Sequence, residues 1–321
     1  MRRALLVGID KYDSEKLPSM TGCVSDAIAM RDMLQVNEDG SPNYSCKLLV
    51  SSAGERVTSK AMRSHLHKLF DDYSGDILFY FSGQGALVRG SGVLATQEGV
   101  PEDLGLSMDE LVAIVNGSNA RSALIIIDCC NTLHPTDLDS GVAEQGQFPL
   151  REGRTILAAA SSAEQAFESA GHGSFTRLVL AAISGGAADI LGRVSAASIY
   201  GYVEQFLGYW GQRPMYSSHA DRLPPVRLCR PVLPEALLRD LPSLFSKPES
   251  IFRIDSSYEF TSPEAEPRKV AIFDKFRMFR NAGLVETVEG EDLYFAAMKA
   301  GRVRLTLLGQ LYWKLAEMRR I

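Results

Sequence analysis

Residues 122–132, S-A-L-I-I-I-D-C-C-N-T, end a short apolar run in two adjacent thiols, Cys129 and Cys130. An apolar stretch such as Leu124 to Ile127, cut off abruptly by Asp128, reads as a buried parallel strand that delivers its last side chains to the sheet edge. Ligands of open α/β sheets bind beyond the carboxyl ends of the strands, so a thiol there is placed for nucleophilic chemistry. The alternative is that such a cysteine is simply a small buried hydrophobe. A second run, 76–81, ends in Ser82-Gly83-Gln84-Gly85, where glycine lets a substrate approach the backbone. A cysteine reacts as thiolate and needs a lowered pKa or a neighbouring base. Gln84 stands where such a base is wanted, and its amide donates and accepts hydrogen bonds without taking up a proton.

The elements that must carry these residues follow from periodicity. Strands are expected at 4–9, 47–50, 76–81, 123–128 and 155–160. Helices are expected at 23–34, 59–70, 107–115, 175–183 and 195–207. Ser107 with Glu110 forms a capping-box pattern. Alternation of this kind implies a mostly parallel sheet covered on both faces, an α/β fold. The turn-rich stretches 90–105 and 133–153 read as long loops.

Composition sets outer limits. The 321 residues are 45% hydrophobic and 23% charged, with a net charge of −5, which excludes a chain that binds nucleic acid through bulk charge. The start, Met1-Arg2-Arg3 before 4–9, has the charge of a signal peptide, but its apolar run stops at Asp10, too short for a leader core. Five cysteines without framework spacing, no C-x-x-C pair and no histidine cluster point to reduced thiols, no metal site and a cytoplasmic location.

Prolines 224, 225, 231, 234 and 242 mark a boundary between residues 1–230 and 235–321. The second part carries 14 Lys+Arg and 13 Asp+Glu, leaving the remainder at −6. It reads as a helix over 268–284, two strand-like runs at 292–297 and 302–305, and a closing helix with Leu307, Leu311, Leu315 and Met318 on one face, expected to pack on Ile272, Phe276 and Phe279. That order resembles a winged helix-turn-helix domain. Arg268, Lys269, Lys275, Arg277 and Arg280, joined by Lys299, Arg302 and Arg304, would then form either a phosphate-contacting surface or a solvated face. With a net charge near zero, a protein partner is expected ahead of DNA.

Several segments together resemble the caspase/metacaspase superfamily of cysteine peptidases, family C14, over about residues 3–230. They are A-L-L-V-G-I-D-K-Y (4–12), G-C-V-S-D-A (22–27), F-Y-F-S-G-Q-G (79–85), I-D-C-C (127–130), A-A-S-S-A-E-Q-A-x-E (159–168) and G-S-F-T (173–176). The resemblance implies the caspase-haemoglobinase α/β/α sandwich with the smaller winged-helix-like domain behind it. It places the nucleophile at Cys130 and the family's histidine at Gln84, with backbone N–H groups near Gly83 and Cys130 as oxyanion hole. It also implies that Cys23, Asp26, Ser82 and Asp128 line the pocket for the residue before the scissile bond. Two carboxylates there favour Arg or Lys and repel Asp. Read without the family, Asp26 is an anion early in a helix, where it is favoured anyway.

Two functions follow from the resemblance. One is a cysteine endopeptidase cutting after Arg or Lys. The other is a catalytically impaired relative that docks a peptide or protein through its groove and its C-terminal domain. Asn131-Thr132 in place of the family's His-Ser is a second departure. His134 is a candidate substitute base, although a loop histidine on the surface is the plainer reading, as it is for His172; His65 and His67 read as solvent-facing. No cofactor is implied; the Ca²⁺ that activates many metacaspases has no clear acidic cluster here. Bacterial fusions of this shape resemble stress or phage-defence effectors, and no membrane association is expected.

Overall fold

The computed structural model describes residues 2–52, 56–88, 91–100, 103–130, 150–159, 174–210, 213–221 and 224–321, without the side chains of residues 87, 130 and 210. The chain divides into two compact units, one of Met1–Ala188 with Arg193–Arg230 and one of Asp189–Gly192 with Pro231–Ile321.

The first unit is built on β1 (Arg2–Gly8), β2 (Tyr44–Val50), β3 (Asp76–Val88), β6 (Ser122–Cys130), β7 (Arg154–Ala158) and β9 (Met215–His219), with β4 (Ser91–Val100) and β5 (Asp103–Ser107) between β3 and β6 in sequence. The order across the sheet is β2-β1-β3-β6-β7-β9, parallel except for β9 against β7. The chain winds outward from β1 to β2 on one side and from β3 through β6 to β7 on the other. The direction therefore reverses between β1 and β3, the point where an open sheet leaves a crevice at its carboxyl edge.

Alternate residues of each central strand face opposite layers. Leu5, Val7, Phe79, Phe81, Ile125 and Ile127 pack with α2 (Ser59–Phe70) and α3 (Met108–Gly117). Ala4, Leu6, Leu78, Tyr80, Leu124 and Ile126 pack with α1 (Cys23–Gln35), α4 (Ser174–Ala181) and α5 (Ala196–Leu207). Burial on both faces explains the unbroken apolar runs in the sequence. A short antiparallel pair, β8 (Arg193–Val194) with β10 (Arg227–Leu228), completes the unit. Ser107 caps α3 by accepting the Glu110 N–H at 3.1 Å, while the Glu110 carboxylate turns away to Arg63 at 2.6 Å rather than closing a capping box.

Two expectations need correction here. The strand expected to stop at Phe81 continues through Ser82-Gly83-Gln84-Gly85 to Val88, and the stretch expected as a loop over 90–105 is largely strand. β4 pairs back on β3 from Gly85↔Leu94 to Val88↔Ser91, and β5 pairs on β4. The polar residues that suggested a loop hold α2 in place instead: Gln97 Oε1 accepts the Val57 N–H at 2.7 Å and Glu98 Oε1 the Ser59 N–H at 2.6 Å. The expected loop 133–153 falls almost wholly outside the described residues.

The second unit holds α6 (Glu235–Leu238), α7 (Leu241–Leu244), β11 (Ile251–Arg253), α8 (Pro267–Asn281), β12 (Val285–Thr287), α9 (Leu293–Met298), β13 (Arg302–Leu305) and α10 (Leu307–Glu317). Its antiparallel sheet has the order β11-β13-β12, and its core contains Phe273, Phe276, Phe279, Leu284, Val303 and Leu305. The run at 292–297 expected as a wing strand is helix α9, started by the Asp292 side chain accepting the Tyr294 N–H. The two-strand wing between 292 and 305 is therefore replaced by a helix and the central strand of the sheet. The stripe on α10 is also corrected. Gly309, Tyr312 and Ala316 face inward, while Leu307, Leu311, Leu315 and Met318 face solvent.

Candidate active site

The carboxyl ends of β1, β3 and β6, with the start of α1, bring together Cys23, Asp26, Ser82 and Asp128. The start of α1 is brought against β1 because residue 8 is glycine; a Cβ there would sit 2.4 Å from the Cys23 carbonyl oxygen. Asp10, just past β1, accepts the Val24 N–H at 3.3 Å and so fixes the helix start. Ile9 N–H donates to the Ser82 carbonyl at 3.0 Å, which ties that segment to β3.

Within this frame the four expected pocket residues come together. Asp26, in the first turn of α1, is only 1% exposed, and the Ser82 hydroxyl donates to its Oδ2 at 3.5 Å, at the limit of a hydrogen bond. Register pairs Ser82 with Asp128 across β3 and β6. Asp128 Oδ2 accepts both the N–H and the hydroxyl of Thr176, at 3.2 and 2.6 Å. Because the Thr176 hydrogen points to Asp128, the Tyr80 hydroxyl, 2.6 Å from Thr176 Oγ1, is the donor of that pair. Tyr80 to Thr176 to Asp128 is thus a directed chain of hydrogen bonds.

The charges are strained by this enclosure. Burial pushes the Asp128 carboxyl up to about 6; the Thr176 hydroxyl opposes the shift, and the negative field of Asp26 adds to it. The Cys23 thiol is pushed up to about 12, first by burial and then by Asp10, Asp128 and Asp26, despite the Ser82 hydroxyl beside it. Cys23 is therefore a neutral wall of the pocket. Tyr80 also stays protonated, its pKa raised by burial and by the two carboxylates. Asp26 and Asp128 thus bring two acidic groups to the neighbourhood of Ser82, the first buried and the second half-buried.

The residues assigned to catalysis sit one step further along the same strands. β3 and β6 pair Gly83 with Cys129 and Gln84 with Cys130, so the Gln84 and Cys130 backbones are neighbours in the sheet. Cys129 is buried in the α2–α3 layer. The Cys130 side chain lies outside the described part of the structure, as do His134, His172 and Asn131-Thr132. Gln84 itself is buried, and its amide Nε2 donates to the Pro18 carbonyl at 3.2 Å and meets Met20 Sδ at 2.9 Å. Its backbone N–H donates to the Tyr12 hydroxyl at 2.6 Å, and Tyr12 in turn donates to the Ile9 carbonyl at 3.3 Å. Tyr12 needs glycine at 83, for a Cβ there would lie 2.8 Å from its oxygen. Burial raises the Tyr12 pKa, so it remains a hydroxyl.

Tyr12, Asp10, Tyr80 and Thr176 are site residues that reasoning on the sequence did not single out. Strand alternation could have found Tyr80, which shares a face with Ser82 and Gln84. No group of three His, Cys, Asp or Glu residues suited to a metal ion occurs among the described residues. No helix there is long and apolar enough to cross a membrane.

Comparison with known proteins fits this geometry. The family model for the caspase domain of peptidase family C14 matches residues 1–223. Among solved structures, protein GSU0716 of Geobacter sulfurreducens is similar with a TM-score of 0.51 at 15% identity, over 71% of this chain and 99% of that one. Caspase-1 of Spodoptera frugiperda also has a TM-score of 0.51, at 13% identity, over 71% of this chain and 90% of its own. At such identities these two similarities speak for the fold. No curated protein sequence matches significantly. The chain belongs to the caspase-domain family of cysteine peptidases.

Proposed function

We propose that this caspase-domain protein captures polypeptides by an Arg or Lys side chain held between Asp26 and Asp128, and that it turns them over slowly because Gln84 occupies the place of the general base. The observation that carries this reading is the pair of carboxylates beside Ser82, Asp26 buried and Asp128 half-buried with its pKa raised. A guanidinium would restore the charge that burial makes costly, and would satisfy carboxylate oxygens in the bidentate manner that Arg favours. An Asp at that place would add a third negative charge.

Turnover has two demands. The Cys130 thiolate must attack the carbonyl carbon, and the leaving amine must gain a proton as the C–N bond breaks. Gln84 serves neither demand, since an amide takes up no proton and its Nε2 is already engaged with Pro18 and Met20. A thiol-reactive probe whose leaving group needs no proton separates the two demands. An Arg-bearing probe of this kind is expected to label the chain at residue 130, with labelling lost in Cys130→Ala, while amide substrates are cleaved slowly or not at all. Labelling that survives Cys130→Ala, or that an Asp-bearing probe matches, would count against the reading.

The second unit is read as a protein-docking module, and the observation favouring that is charge pairing. Lys269 pairs with Glu266, Lys275 with Asp240, and Arg277 with Glu259 and Asp274. Arg280 pairs with Asp292, Lys299 with Glu291, Arg302 with Glu289 and Arg304 with Glu286. Arg268 apart, every basic residue expected to face phosphate already has a carboxylate beside it. A phosphate backbone would have to displace those partners, which reduces the gain from counterion release.

A further inference from the structure

We infer that α10 is a self-association surface, on which a second copy of this chain packs antiparallel. The helix is held firmly by one side. Gly309 lies against the Leu284 carbonyl, where a Cβ would come within 1.9 Å of the oxygen, and Trp313 Nε1 donates to the Phe245 carbonyl at 2.7 Å. Tyr312 and Ala316 complete that inward side. The opposite side is apolar and open: Leu307 is 81% exposed, Leu308 43%, Leu311 57%, Leu315 36% and Met318 64%. A helix on a monomer's surface carries polar residues on that side. Scattered apolar residues would be ordinary, but five along one rigid stripe form a patch.

The occupant follows from the spacing. Leu308, Leu311, Leu315 and Met318 recur at intervals of three, four and three, the a and d positions of a heptad. That series reads the same in both directions about its midpoint. Two copies running antiparallel place Leu308 opposite Met318 and Leu311 opposite Leu315, and each layer has its counterpart across the dyad. A two-fold interface requires one patch to be complementary to itself, and this stripe meets that condition. The charged residue nearest the dyad is Lys314, whose long stem lets its ammonium turn outward to water.

The area is also of the right size. The five side chains expose on the order of 500 Å² of apolar surface, near the upper end of the roughly 300–600 Å² that a monomer's largest patch presents. Two copies would together bury on the order of 1,000 Å² or more once flanking residues are counted, about where specific interfaces begin. The inference rests on reading the second unit as protein-binding and names the partner.

Sedimentation of the full chain across micromolar concentrations tests it. The expected result is a reversible dimer for the unaltered chain and a monomer for Leu311→Glu with Leu315→Glu, with unchanged circular dichroism. Register is read by mixing a Leu311→Cys chain with a Leu315→Cys chain under oxidation and identifying linked peptides by mass spectrometry. The 311–315 link is expected to exceed the 311–311 link. A monomer at every concentration, a dimer that survives the paired Glu substitutions, or a predominance of 311–311 links would overturn the inference. A monomer that also ignores duplex DNA removes self-pairing alone and leaves protein docking standing.

Discussion

Acidification is expected to weaken binding of an Arg-bearing peptide without unfolding the pocket. Asp128 is pushed up to about 6 by burial, with Asp26 adding to the shift. At pH 7 a group titrating there is about nine-tenths ionised and at pH 5 about one-tenth. Only the ionised pocket offers a full pair of charges to a guanidinium, so the apparent Kd rises as the competent fraction falls, about tenfold between pH 7 and pH 5. The sign for stability is the opposite. A carboxyl whose pKa is raised by folding contributes stability that is fully present below the ordinary carboxylate pKa and is lost as pH rises through about 6. Relative to Asp128→Asn, the unliganded chain therefore gains stability as pH falls from 7 to 4, while its affinity for the cation declines. Fluorescence polarisation with an Arg-bearing peptide, run beside thermal melts at each pH, reads both. Thr176→Val removes the 2.6 Å hydroxyl donor and moves the midpoint upward. A pH-independent Kd between 5 and 7, or an unchanged profile in Asp128→Asn, would refute the reasoning.

Further outcomes follow from the same geometry. Gln84→His is expected to raise amide turnover at least about 100-fold, the usual size of acid–base assistance; equal rates in the two chains would show that another group already serves. Asp26→Ala is expected to weaken Arg-probe binding while the circular dichroism shows an intact fold, and preferential labelling by a probe bearing Asp would sink the pocket assignment. Arg277→Ala leaves the Glu259 carboxylate, 1% exposed, without its cation, and is expected to destabilise the second unit by about 1–3 kcal/mol in a denaturant melt. In a titration of duplex DNA at two salt concentrations, the full chain is expected to lack the slope of about −0.9 per neutralised phosphate. Tight binding with that slope would reverse the preference for a protein partner.

The central strands were legible because a parallel strand buried on both faces must be apolar throughout, as 4–9, 76–81 and 123–128 are. The β4–β5 extension was not, since its Gln97 and Glu98 are polar in order to hold the start of α2. On α10 the periodicity was read correctly and its direction wrongly. The inward side is made of small or amphipathic residues, Gly309, Tyr312 and Ala316, which carry little hydrophobic signal, and the conspicuous leucines face out. At the site, the grouping of Cys23, Asp26, Ser82 and Asp128 was implied by the family resemblance. Their supports were not, because they act over long range: Thr176 is 48 residues from Asp128, Tyr80 is 96 from Thr176, and Tyr12 is 72 from Gln84.

The two ends of the site differ in how they are poised. At the recognition end, burial raises the Asp128 pKa to about 6, and the hydrogen bonds from Thr176 only partly offset the cost of its charge. An enclosed carboxylate of this kind gains most from an arriving cation, because attraction strengthens where water is excluded. Gln84 is neutral, its side-chain N–H groups meet Pro18 and Met20, and its backbone N–H is taken by Tyr12. A backbone donor spent on Tyr12 is also one fewer N–H available to an oxyanion, which would have to form beside Gly83 or Cys130 instead. Among the described residues, the raised carboxyl lies at Asp128 and the neutral amide at Gln84. On the proposed reading, affinity and rate are separable quantities: substitutions at Asp26 and Asp128 are expected to change the first, and substitution at residue 84 the second.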